Sequence, residues 1–224
     1  MQKLQFLVAL LLVCMAGLSH ADQKVDQEAV NSYRQAASQG NAAAQCLLGA
    51  AYHEGQGVPK NYQEAVRWFR KAADQGNADA QYLLGVAYDQ GQGVPKNYQE
   101  AVNWNQKAAD QGNASAQYFL GVAYDQGLGV PQNYPEAASW YQKASDQGNA
   151  SAQYYLGLLY ALGQGVPQNK VLAYMLLSLA ATGGDKDSVL GRDTVQNEMT
   201  PDEIAKGQEL AAKWKPGTPL PTSY

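Results

Sequence analysis

Two side chains have the chemistry of a nucleophile and its base: Cys46, and His53 one face-length further along the same helical pattern. Seven residues of helix separate them by about 10 Å along the axis. A thiolate–imidazole pair needs hydrogen-bond reach, so these two do not form one. A single Cys and a single His also fall short of the nitrogen and sulfur set of a zinc site. The chain has no Gly-x-Ser-x-Gly elbow and no phosphate loop. Its Gly-x-Gly motifs begin at Gly55, Gly91, Gly127 and Gly163 and follow helical patterns rather than strands. They read as turns, not nucleotide sites. No catalytic residue, metal site or cofactor is therefore expected.

The elements that carry these residues are set by an internal repeat. Gly49, Gly85, Gly121 and Gly157 are 36 residues apart, and Tyr52, Pro59 and Asn61 each recur in the same register. A period in this range marks a helical solenoid. Four units are expected, at 42–77, 78–113, 114–149 and 150–185. A half unit at 22–41 precedes them, because Glu28-Ala29-Val30 lies one period before Glu64-Ala65-Val66. In the second unit Asn77 caps a first helix that Gly91 and Gly93 end. Val94-Pro95 turns the chain, and Asn97 with Glu100 resembles a capping box for a second helix.

Ala80, Leu84, Ala87 and Tyr88 share one face of the first helix, and Ala101, Trp104 and Ala108 share a face of the second. These are core faces, with Trp68, Trp104 and Trp140 as the large members. Gly85 is placed to allow a close helix crossing. The side opposite Leu84 carries Tyr82, Val86 and Asp89, repeated as Tyr118, Val122 and Asp125 and as Tyr154 and Leu158. In the fourth unit Leu176 replaces the Trp, and the second helix is apolar nearly all round. Two capping helices within 186–215 should cover it, the second opened by Thr200, Pro201 and Glu203. The Pro-rich tail 216–224 is expected to be disordered.

The pattern Ala-x-x-x-Leu-Gly-x-x-Tyr-x-x-Gly-x-Gly-Val-Pro-x-Asn, then x-x-Glu-Ala-x-x-Trp-x-x-Lys-Ala-x-x-x-Gly, is complete in residues 78–113. It resembles the Sel-one-like repeat family, a branch of the tetratricopeptide-type repeats. The resemblance implies an all-α fold, a right-handed superhelical solenoid of antiparallel helix pairs whose first helices line a concave surface. It also implies a scaffold or adaptor. On that surface Tyr82, Val86, Asp89, Tyr118, Val122, Asp125, Tyr154 and Leu158 would form a tyrosine-lined groove with an acidic edge, suited to a protein or peptide partner. A cell-envelope glycan or peptidoglycan fragment stacked on the tyrosines is the alternative. Some relatives with paired cysteines have been ascribed a β-lactamase-like hydrolase activity, but this chain lacks those pairs.

Residues 1–21 read as a secretory signal, with Lys3, an apolar run from Phe6 to Leu18 and small residues before a cleavage after Ala21. Val13 ahead of Cys14 argues against lipidation. The mature chain is then expected to be secreted or periplasmic, without a transmembrane segment, and monomeric. The full sequence of 224 residues carries a formal charge of −4, which disfavours nucleic acid. Its apolar content of 46% excludes general disorder.

Overall fold

The computed structural model describes the backbone of residues 20–221 and the side chains from 27 onward. The expected secretory signal lies outside the described residues, apart from the backbone of His20 and Ala21. Eleven α-helices and no strand are found among the described residues. They are α1 (His20–Ser38), α2 (Ala42–Glu54), α3 (Tyr62–Asp74), α4 (Ala78–Gln90), α5 (Tyr98–Asp110) and α6 (Ala114–Gln126). The remainder are α7 (Tyr134–Asp146), α8 (Ala150–Leu162), α9 (Lys170–Ala180), α10 (Lys186–Gln196) and α11 (Pro201–Lys213). Each helix packs on the next from α1 to α10, and α11 packs back on α9. None of the described helices is long and apolar enough to cross a membrane.

The helix ends follow from local chemistry. Asn41, Asn77, Asn113 and Asn149 each accept a backbone N–H three residues on. Gly55, Gly91, Gly127 and Gly163 end the same helices in the left-handed conformation that glycine tolerates. Asn61, Asn97, Asn133 and Asn169 cap the second helices with their side chains. Their backbone N–H groups donate to the carbonyls of Tyr52, Tyr88, Tyr124 and Tyr160 at 2.8–2.9 Å. That bond corrects the expected capping boxes, since the donor a returning glutamate would need is already taken. Glu64 instead pairs with Arg67 at 2.7 Å. Thr200 and Glu203 do form a complete box.

Gly85 does permit a close crossing, because a Cβ there would lie 2.2 Å from Asn105 Nδ2 and 3.0 Å from the Ala101 carbonyl. The tryptophans are less buried than expected. Trp140 is buried, but Trp68 and Trp104 are half-buried. Lys71, Lys107 and Lys143, one helical turn on, hold their ammonium groups 4.2, 3.9 and 3.6 Å from the ring centres. Their aliphatic stems shield what the helices leave uncovered.

A buried glutamine row ties the units together. Gln45, Gln81 and Gln117 donate through Nε2 to the carbonyls of Ala37, Ala73 and Ala109 at 3.1–3.2 Å. Their Oε1 atoms accept from Gln75, Gln111 and Gln147 at 2.6–2.7 Å. Each glutamine thus clamps a first helix to the end of the second helix before it and to the turn that ends its own unit.

At the C-terminus α9 is covered as expected, by α10 on one side and α11 on the other. The tail departs from expectation over 216–221. Trp214 Nε1 donates to the Thr218 carbonyl at 3.0 Å, and Gly217 N–H donates to the Asp146 carbonyl at 2.6 Å. Leu220 is buried in the cluster that holds Met175 and Leu176. Apolar burial holds this segment in place despite its turn-rich composition.

Candidate interaction surface

The residues expected to line an open groove do not share one environment. Tyr82, Val86, Tyr118 and Val122 are all buried. The next first helix closes on each pair with one bulky residue: Phe119 joins the cluster of Tyr82 and Val86. Tyr155 lies 5.9 Å from the Tyr118 ring and stacks on Tyr141 at 5.5 Å. The expected tyrosine ladder is therefore part of the seam between repeats along most of its length. Burial pushes the Tyr82 hydroxyl up to about 12 and raises that of Tyr118 as well.

The acidic edge is not a freely solvated row either. Asp89 is buried and Asp125 is half-buried. Burial raises both carboxyls above the usual range. Lys96 opposes this at Asp89, and a hydrogen bond from the Tyr141 hydroxyl at 3.4 Å opposes it at Asp125. His53 stands in the register of these two aspartates. Its Nδ1 lies 2.6 Å from the Glu54 carboxylate and its Nε2 lies 2.8 Å from Gln92 Oε1. Cys46 is buried, and its thiol is pushed up to about 12 by burial and then by the charge of Asp79. A thiol in that state is not a nucleophile at neutral pH. Among the described residues no three His, Cys, Asp or Glu side chains come together as metal ligands would.

The last unit differs. Tyr154 and Leu158 are only half-buried. They line a cleft of about 330 Å³ between α8 and α10, together with Leu162, Lys170, Leu190 and Val195. Leu162 and Leu190 are 66% and 67% exposed. At the rim Lys170 pairs with Glu198 at 3.1 Å, and Asp187 adds a second carboxylate. Of the expected groove residues, this cleft gathers Tyr154 and Leu158 alone. Leu162, Lys170 and Leu190 escaped the sequence reading, which ended the repeat at 185. Leu190 lies one period after Tyr154, and that register was the available clue.

The fold defines an all-α protein of repeated helix pairs. The Sel1 repeat model matches at residues 5–41, 42–77, 78–113, 114–149 and 150–185. The chain belongs to the Sel1 repeat family, whose members are generally protein-interaction modules and typically non-enzymatic scaffolds. A solved Sel1 repeat protein from Oxalobacter formigenes is 39% identical, with a TM-score of 0.70 over 76% of this chain and 49% of that one. The antigen c5321, a protective antigen of uropathogenic Escherichia coli with an SLR fold, is 27% identical. Its TM-score is 0.51 over 83% of this chain and 56% of that one. The chain thus spans about half the length of these two structures. No curated protein matches it.

Proposed function

We propose that this chain is an exported protein-interaction module that holds a peptide or protein partner in the cleft between α8 and α10. The observation that carries the reading is the cleft itself, with half-buried Tyr154 and Leu158 at its base and exposed Leu162 and Leu190 at its mouth. An apolar floor with a charged rim is the usual make-up of a partner site. The family supports contact as the general role. The packed repeats behind the cleft make it a rigid platform, so little ordering is required on binding. Export rests on the pattern of residues 1–21. The buried rings of Tyr82 and Tyr118 offer no face to a sugar, so the glycan alternative would rest on Tyr154.

Leu162→Asp and Leu190→Asp together test the reading, because both side chains are exposed and the fold does not depend on them. The native chain and the double variant serve as bait in an extract of the source cell envelope. A partner retained by the native chain and lost by the variant is the expected result. Equal capture by both would move the binding surface away from this cleft.

A further inference from the structure

The internal repeat shows why the cleft exists and what would fill it. One residue after each inner-face tyrosine register, the first helices carry Leu83, Phe119 and Tyr155. These side chains wedge against the preceding first helix. The Tyr155 ring sits 5.9 Å from Tyr118 and 5.5 Å from Tyr141, and Phe119 is buried with Tyr82 and Val86. Helix α10 occupies the same place relative to the last unit. It starts one period after α8, is capped by Asp185 one period after Asn149, and packs on α9 as α8 packs on α7. Its residue at the wedge position is Gly191. A Cβ built there would lie 3.2 Å from Leu177 Cδ2 and 3.6 Å from Tyr154 Cε2. Leu177 and Tyr154 are the register equivalents of Tyr141 and Tyr118, the two rings on which Tyr155 rests. Leu177 is fully buried by its own chain, Val195 among its neighbours, but Tyr154 is half-buried where Tyr118 is buried, because Gly191 sends no side chain over it.

We infer that the space above Gly191 is a vacant wedge seat whose ligand is a partner peptide inserting one aromatic side chain between Tyr154, Leu158 and Leu190. The inner seams are filled by phenyl and phenol rings, and this seat continues those seams. The rim carries the carboxylates of Asp187 and Glu198 beside the amine of Lys170, and basic residues flanking the aromatic anchor would meet those carboxylates. The inference rests on the cleft being the partner site. It adds the chemistry of the anchor and names Gly191 as the residue that keeps the seat open.

The test uses the full exported chain with two probes, p-cresol and the capped pentapeptide Gly-Lys-Tyr-Lys-Gly. Expected are nuclear Overhauser contacts from the p-cresol ring to Tyr154 and to the Leu158 and Leu190 methyls. The pentapeptide should bind at the same place, and replacing its tyrosine by alanine should weaken it about tenfold or more. Gly191→Tyr should place a ring over Tyr154, with Leu177 shifting slightly to admit its Cβ, and abolish binding of both probes. Ring contacts elsewhere on the molecule, or none, would overturn the inference, as would a folded Gly191→Tyr chain that binds both probes like the native one. Should that variant not fold, the contacts on the native chain decide alone. A partner lost by the Leu162→Asp, Leu190→Asp bait without any p-cresol contact in the seat sinks the wedge and spares the proposed function. An occupied seat with no captured partner does the reverse.

Discussion

Asp125 shows at the residue scale how burial outweighs a hydrogen bond in setting the state of a carboxyl. Its carboxyl sits above the usual range because part of its hydration is gone, although the Tyr141 hydroxyl donates to it. A folded-state value above the unfolded one means that the folded state holds the proton more tightly. Ionisation at neutral pH therefore costs stability, and the cost disappears as pH falls toward the ordinary carboxylate range near about 4. Asp125→Asn keeps an acceptor for Tyr141 and removes the charge. Its melting temperature should exceed that of the native chain at pH 7, with the gap closing on acidification. A gap independent of pH would rule out buried charge as the cause. Gln117 is the contrasting case, a buried polar group with both ends satisfied. Gln117→Ala leaves the Ala109 carbonyl and the Gln147 amide without that partner, and urea unfolding should register a loss of about 1–3 kcal/mol.

At the scale of elements, the crossing of the two helices in a unit depends on a missing side chain. A helical glycine normally costs about 1 kcal/mol relative to alanine. Gly121 reverses this, because an added Cβ would lie 2.4 Å from the Tyr141 ring, which is buried and stacked on Tyr155. Gly121→Ala should therefore destabilise by about 1–3 kcal/mol in chemical denaturation. Gly183 has no atom within 4 Å of its would-be Cβ and no left-handed backbone, so Gly183→Ala should be neutral or mildly stabilising. Equal effects at the two sites would show that close approach does not explain the repeated glycine. The row of lysines over Trp68, Trp104 and Trp140 belongs to the same scale. It stops at the fourth unit, where Leu176 and Leu179 take the places of the Trp and the Lys.

The whole molecule is a one-dimensional stack, so its ends decide how much of it stays folded. The fourth unit has an apolar outer face that α11 and the tail cover. Leu220 is buried there, and Gly217 is tied to the end of α7 through the Asp146 carbonyl. Removing residues 216–224 should lower the melting temperature by roughly 3–10 °C, the effect of losing one buried leucine from a chain of this size. A truncated chain that melts with the native one would show that the tail adds nothing to the cap.

The repeat, the helix limits and the pairing of helices were determined by the sequence alone. Asn, Gly and Pro act on backbone within a few residues of themselves, and four in-register copies make each reading four times over. The clamp of Gln45, Gln81 and Gln117 escaped the sequence reading, because only its partners on other elements reveal what it does. The fate of the inner face was decided by tertiary structure. Tyr82, Tyr118 and Tyr154 look alike along the chain. Phe119 and Tyr155 close over the first two from the next helix, and Gly191 leaves the third open. Whether a side chain is core or surface depends on the residue facing it from another element. The tail was misread for the same reason: its local composition favours turns, while Leu220 is held by a cluster built from distant helices.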